Sequence, residues 1–481
     1  LSHETSLLVF TLIAIAGLIL LVARFKVNPT IAIVLAALFI GLTSGMELSA
    51  IMKRFTEGVG GVLGSIAMIL GLGSMLGKLM AESGGAERIA LTLIHWFGES
   101  RVHWAMVVIA CIVGVPVFFQ VGLVLLIPLV FIMAQKTSMP LLQIGIPLVS
   151  GLSVMHGLVP PHPGPMVAIE VLKADVGKTI LYSLLVGIPT AILAGPLLGK
   201  LLARRVPLEA SGELMAQFTT GRRQEKSELA ELSPSPPLAG PAWSEERAGE
   251  SRPGFAITVF TILLPVLLML LATAVDLAFP KDNAFRQGVD FIGHPIVALL
   301  IAVLFSFYSL GYKCGFDRKQ ILDFTNECLA PIGGVILVIG AGGGFKEVLV
   351  GSGVGAAIAE HASHWHFSPL LFGWLVAALI RIATGSATVA ITTAVGIVLP
   401  VASGVPGVNL ELLVVAMGAG SLILSHVNDA GFWLVKEYFN MSVPQTLKTW
   451  TVMETMISIV ALVFTLLLNA VLGSYPDGAK L

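Results

Sequence analysis

Phe55-Thr56-Glu57-Gly58 through Gly71-Leu72-Gly73 is answered, 269 positions later (55 to 324), by Phe324-Thr325-Asn326-Glu327 through Gly340-Ala341-Gly342. Gly64 falls on Gly333, and the apolar run between matches in the same register. The correspondence extends to Ser83-Gly84 on Ser352-Gly353 and to Ile89-Ala90 on Ile358-Ala359. Upstream, Asn28-Pro29 answers His294-Pro295; downstream, His156 answers His426. A long apolar chain made of two copies of one unit carries the signature of a secondary transporter.

Composition places that unit in a bilayer. Of 481 residues, 56% are hydrophobic and 12% charged, against about 25% charged in a soluble protein. A net charge of −1 leaves no electrostatic footprint for nucleic acid. Three scattered cysteines, Cys111, Cys314 and Cys328, support neither a disulfide framework nor a zinc site. The first apolar run, 6–23, is followed rather than preceded by basic residues, Arg24 and Lys26. That order is opposite to a signal peptide's. It predicts a retained first span with its amino end outside.

Spans need about 20 apolar residues. Candidates are 6–23, 29–46, 58–80, 102–118, 119–134, 140–158 and 178–202, then 255–279, 291–312, 329–350, 368–384, 385–403, 410–428 and 451–473. Several are short or broken by Gly and Pro, which predicts about ten to fourteen crossings, some of them half-spans or re-entrant. The expected division is a first transmembrane repeat, 1–202, a flexible polar linker, 203–254, and a second repeat, 255–481. The linker holds Ser233-Pro234-Ser235-Pro236-Pro237 among charged residues, cannot bury apolar surface, and has basic edges that favour the cytoplasm. Basic loops follow the first span in one half (Arg24–Lys26) and the second span in the other (Lys313–Lys319). Matching loops therefore prefer opposite sides, which favours an inverted repeat. The expected fold class is an all-α polytopic membrane protein of two inverted-topology repeats with broken or re-entrant helices.

Chemistry is expected where the apolar helices are interrupted. The run His156-Gly157-Leu158-Val159-Pro160-Pro161-His162-Pro163-Gly164-Pro165 holds four prolines in ten residues. It is expected to be non-helical and to line a watery cavity; an ordinary interfacial loop is the plainer alternative. Arg381 lies inside an apolar segment, where an unpaired charge is costly. A guanidinium fork for a substrate carboxylate is the functional reading, and a snorkelling arginine the bland one. Thr384, Gly385, Ser386 and Thr388 follow, offering hydroxyls and a break whose N–H groups can face an anion. Asp429 is the strongest carboxylate candidate for a proton carrier, with a surface helix cap as its alternative. His156, His162 and His426 can also carry protons. Gln120 and Asn428 are candidate partners for substrate hydroxyls, although Gln120 serves equally as glue between helices. Lys346-Glu347 reads as a satisfied pair, and Gly58–Gly64, Gly71–Gly77 and Gly340–Gly344 as close-packing faces. His361, His364 and His366 fall in a polar stretch that could bind a metal ion, but a plain loop is the expectation, and no metal site is assigned there.

Three of these runs together resemble the gluconate:proton symporter (gluconate permease) family: His156 through Pro165, Arg381 through Ala390, and Ser425-His426-Val427-Asn428-Asp429-Ala430-Gly431-Phe432-Trp433. The resemblance spans both halves and fails only in 203–254. It implies a bacterial inner-membrane carrier of sugar acids, within a larger group of ion-coupled carriers of two inverted halves. Family members carry gluconate, idonate, fructuronate and, in one branch, D-serine, so the substrate is not fixed by membership.

The resulting expectation is a proton symporter of D-gluconate or a close aldonate, with no cofactor beyond the proton. Substrate contacts are expected from Gln120, His156, His162, Arg381, Thr384, Ser386, Thr388, His426 and Asn428, and proton coupling from Asp429, His156 or His426. The partners are a small organic anion and the lipid bilayer; a homo-oligomer is compatible with the sequence. A carrier of D-serine or another hydroxy acid is the first alternative. A membrane-embedded hydrolase and a channel are remote ones. His3-Glu4 is followed by Leu7 rather than a second histidine, so the helical zinc-protease motif is absent, and no Ser occupies a nucleophile elbow.

Overall fold

A computed structural model describes residues 3–206, 208, 252–354 and 368–473. The linker expected at 203–254, apart from its edges, lies outside the described residues, as do Ile358-Ala359 and the histidines His361, His364 and His366. Among the described residues the secondary structure is helical, with no strand. Apolar runs can satisfy their backbone in lipid only by bonding internally, and helices do so.

The first half contains α1 (His3–Ala23), α2 (Pro29–Thr43), α3 (Leu48–Glu82), α4 (Gly85–Phe97), α5 (Val102–Gly114), α6 (Phe119–Thr137), α7 (Leu141–Leu158), α8 (Pro163–Leu172), α9 (Val176–Ile192) and α10 (Leu198–Arg205). The second contains α11 (Phe255–Ala278), α12 (Ala284–Gly293), α13 (Pro295–Ser306), α14 (Arg318–Glu327), α15 (Gly333–Gly351), α16 (Pro369–Thr384), α17 (Ala387–Gly404), α18 (Leu410–Gly420), α19 (Ala430–Tyr438), α20 (Val443–Thr446) and α21 (Val452–Gly473). Nine helical segments among the described residues are long and apolar enough to cross a membrane, or ten if the pair α4–α5, bent by 108°, counts as one. That sits at or just below the lower end of the sequence expectation.

Some stretches that match in sequence make similar elements, although 55–73 lies in one continuous helix and 324–342 is divided between α14 and α15. Asn28-Pro29 and His294-Pro295 each start a helix, with Pro at its first position, where the missing N–H costs nothing. The glycine runs of α3 and α15 meet each other. A Cβ on Gly58 would land on the carbonyl of Gly343, and one on Gly343 would press on Gly58 and Val62. These two helices touch backbone to backbone, as small residues permit. The packing expectation does not extend to every glycine of α3: Gly60, Gly61 and Gly64 of its first run and Gly73 of its second have nothing within 4 Å. Each half also carries a π-helical turn in its last long helix, Leu193–Leu197 between α9 and α10, and Leu447–Thr451 between α20 and α21.

The apolar interior forms two clusters, and each draws on both halves. One joins α4 to α7 with α18 and α21; the other joins α1 to α3 and α8 with α15, α17 and α18. Packing therefore runs across the sequence midpoint.

Candidate functional site

Four interruptions bring polar backbone and side chains into this interior. They lie at 115–118 (between α5 and α6), 159–162 (α7 and α8), 385–386 (α16 and α17) and 421–429 (α18 and α19). The second is shorter than the prolines suggest. Helix α7 continues through His156 to Leu158, and α8 already begins at Pro163. Proline is tolerated in a first helical turn, so only four residues of the His156–Pro165 run are outside a helix.

Within each half the two interruptions are tied together. In the first, the His162 ring nitrogen Nε2 is 2.7 Å from the carbonyl of Gly114, the last residue of α5. Phe118 lies edge-on to both His156 and His162, and the two imidazoles are 5.1 Å apart, centre to centre. In the second, Asn428 Nδ2 donates to the carbonyls of Ile382 (2.8 Å) and Ala383 (3.2 Å) at the end of α16. Gly385 adopts φ +74°, and a Cβ there would land on the carbonyl of Asn428. Only glycine fits that point without strain. A Cβ on Gly418 would stand 2.6 Å from the carbonyl of Gly157, and one on Gly157 2.6 Å from Leu422. The end of α7 thus packs directly on the end of α18, and the two halves meet where their helices are broken.

The central charge pair is Arg381 with Asp429. Arg381 is 4% exposed and Asp429 9%. The guanidinium Nη2 donates to Asp429 Oδ2 at 2.6 Å, and Nη1 donates to the carbonyl of Gly385. Asp429 also accepts from Ser425 Oγ and, at 2.8 Å, from the Gly431 N–H as the cap of α19. The sequence holds Arg381 and Asp429 apart, as anion fork and proton carrier; the structure joins them. Ser425 is fixed in turn by Trp450 Nε1 (2.6 Å) and, through its carbonyl, by Thr451 Oγ1.

Other expected residues differ in their availability. Thr384 Oγ1 donates to the Ile380 carbonyl at 2.8 Å, and Ser386 Oγ caps α17 by accepting from Val389 N–H at 3.3 Å. These hydroxyls serve their own chain, because a helix end leaves backbone groups that need partners. Thr388 is half-buried in the first turn of α17, and Gln120 half-buried in the first turn of α6. His426 is half-buried in the interruption after α18, whereas His156 is still helical, so the matched histidines occupy different local structures. Lys346 pairs with Glu347 at 2.5 Å.

Polar atoms that are buried without a hydrogen-bond partner include His156 Nδ1, Arg381 Nε, Asn428 Oδ1 and Glu454 Oε2. Buried polar atoms are nearly always satisfied, so His156 Nδ1, Arg381 Nε and Asn428 Oδ1 are open to a ligand's polar atoms, while Glu454 Oε2 stands apart on α21. The charge of Arg381 reaches both His156 and Glu454. Sequence reading passed over Glu454, although a lone acid inside an apolar span is itself a signal. A separate cavity of about 150 Å³ borders the first interruption, lined by Lys78, Pro116, Phe118 and Glu327 among others. Lys78 is already neutralised there by Glu82 (2.9 Å) and Glu327 (3.1 Å). Among the described residues no cluster of His, Cys, Asp or Glu is gathered for a metal ion.

The family model described as GntP family permease matches residues 6–471. The chain belongs to that family. It is 56% identical over 471 residues to the gluconate permease of Pseudomonas aeruginosa, covering 98% of this chain and 99% of the relative. It is 44% identical to the Gnt-II system L-idonate transporter of Escherichia coli (95% and 98% covered) and 36% identical to the D-serine transporter DsdX of the same organism (96% and 98%). Among solved structures, the YdaH transporter of Alcanivorax borkumensis superposes with TM-score 0.60 at 17% identity, over 92% of this chain and 97% of that one. That likeness concerns the fold alone, a multi-pass helical one. This GntP-family permease is accordingly a multi-pass inner-membrane protein.

Proposed function

We propose that this GntP-family permease carries D-gluconate or a related sugar acid inward by proton symport and alternating access. The observation that carries the reading is the buried Arg381–Asp429 pair at the junction of two helix interruptions. A buried ion pair is weak as a stabilising device, but it keeps a guanidinium dry and correctly placed. A substrate carboxylate matches the same planar donors and can replace Asp429 on Arg381. Asp429 would retain Ser425 and the Gly431 N–H as partners. Its part is to hold the guanidinium until the substrate arrives.

Arg381 Nε, Asn428 Oδ1 and His156 Nδ1, all buried without partners, supply both donors and acceptors for the hydroxyls of a polyol acid. The two halves, 1–202 and 255–481, are proposed to be related by inverted topology, so that the interruptions of one mirror those of the other and rocking about the site exposes it to either side in turn. Relatives named for gluconate at high identity favour a sugar acid over D-serine.

Uptake of labelled gluconate into proteoliposomes under an imposed pH gradient tests this directly. Saturable uphill accumulation is expected, inhibited by idonate more strongly than by D-serine. Downhill flux without accumulation rejects symport, and stronger inhibition by D-serine rejects the sugar acid.

A further inference from the structure

Glu454 stands in the first turn of α21, whose residues are otherwise overwhelmingly apolar. It is 1% exposed. Its Oε1 accepts from Ser153 Oγ of α7 at 2.5 Å, a contact between residues 301 positions apart. Its Oε2 is buried and has no hydrogen-bond partner. Among the described residues no Lys, Arg or His lies within ion-pair distance of it.

The charges of Arg381 and Asp429 are felt at its position, and these two are bonded to each other. On the other elements packed against α21, Lys448 of the preceding π-helical turn is exposed, and three further titratable groups have other neighbours. His156 of α7 faces His162 and Phe118. Tyr182 of α9 and Glu411 of α18 gather around Asp175, whose N–H donates to Glu411 at 3.0 Å.

Two buried carboxyl groups thus sit in opposite circumstances. Asp429 has a guanidinium, a hydroxyl and a backbone N–H arranged around a negative charge. Glu454 has one hydroxyl and an orphan oxygen. A buried carboxylate without a cation carries a heavy desolvation penalty, and binding a proton removes it. An ionisable residue in this position inside a membrane protein is a functional candidate by default.

We propose that Glu454 is the proton-binding site of the transport cycle, the proton residing on Oε2. It arrives from whichever side the centre is open to and departs on the other, with no change in the Arg381–Asp429 pair required. Because Ser153 belongs to the first half and Glu454 to the second, loading and unloading of this carboxyl bears directly on the contact between α7 and α21. The inference rests on the symport reading and assigns its proton to a residue outside the substrate pair.

The test uses the full chain in proteoliposomes with labelled gluconate. Glu454→Gln preserves the shape and the Ser153 hydrogen bond but cannot release a proton. Gluconate exchange at equal internal and external concentration is expected within about threefold of the parent. Accumulation driven by a pH gradient is expected to fall at least tenfold, to the level seen without a gradient. A Glu454→Gln chain that accumulates gluconate like the parent overturns the proposal and returns the proton to Asp429 or a histidine. A folded variant that has lost exchange as well also overturns it, since the group then serves binding or packing. Should Glu454→Gln not fold, Ser153→Ala takes its place. A displaced pH profile of accumulation supports the assignment, and an unchanged profile overturns it. A parent chain that exchanges gluconate but never accumulates it under a pH gradient overturns the symport reading itself.

Discussion

Arg381 and Asp429, 48 residues apart in sequence, are bonded at 2.6 Å between the end of α16 and the cap of α19. The guanidinium closes the second half's two interruptions on each other, since it also holds the Gly385 carbonyl. Each residue satisfies the other's charge in the buried interior.

Removing one member leaves the other buried and unpaired. Arg381→Ala is expected to destabilise the protein by about 3–5 kcal/mol and to abolish gluconate uptake. Adding Asp429→Asn should restore most of the stability and none of the uptake. Thermal unfolding in detergent, paired with liposome uptake, separates the two effects. An Arg381→Ala chain transporting at the parent rate would remove the anion site from its proposed place.

Gly385 and Gly407 share a left-handed backbone, at φ +74° and +78°, but not an environment. A Cβ on Gly385 meets the backbone of Asn428, while Gly407 has nothing within 4 Å. Gly407→Ala should cost only the conformational strain, about 1 kcal/mol. Gly385→Ala should cost distinctly more and displace Asn428 from the carbonyls of α16, lowering uptake as well as the unfolding temperature. Equal behaviour of the two variants would mean that the interruptions are not packed as described.

The α3–α15 crossing makes a similar contrast within one helix. Gly58→Ala has no room against Gly343 and should sharply reduce the yield of folded protein. Gly60→Ala and Gly64→Ala face open space and gain about 1 kcal/mol of helix propensity. Size-exclusion profiles after a heat step decide this; loss of folded material in all three variants alike would count against a backbone contact at Gly58.

Charge bookkeeping gives a prediction independent of any mutation. A monoanion moving with one proton on Glu454 transfers no net charge. An imposed membrane potential should then leave gluconate uptake unchanged, whereas each further proton would add about 2.3 kcal/mol per 100 mV. Uptake measured with and without a potassium-diffusion potential checks it, and a strong dependence would require a second proton site.

Much of this arrangement is legible in the sequence, because apolar length, proline and glycine report directly on helices and their ends. The matched Asn28-Pro29 and His294-Pro295 do begin helices, and the runs around His156, Arg381 and His426 do contain the interruptions. What the chain conceals is which interruption faces which. Arg381 and Asp429 each stand out as an intramembrane charge, yet nothing in their spacing says that they bond. The prolines of 160–165 overstate their break, since Pro163 and Pro165 occupy a first helical turn where proline is at ease. The hydroxyls of Thr384 and Ser386 look available until the helix ends claim them. Glu454 does stand out as a lone acid in an apolar span, but only the structure shows it buried against Ser153 with one oxygen unpartnered.

The π-helical turn at Leu447–Thr451 holds one residue more than an α-helical turn, and that surplus sets the direction in which everything after it points. Loss of a single codon there would rotate α21 by about 100° while leaving its length and greasiness intact. Trp450 and Thr451 would swing off Ser425, and Glu454 off Ser153. A lineage could thus lose its transport chemistry through one small deletion, with every other letter of the protein unchanged and its insertion into the bilayer undisturbed.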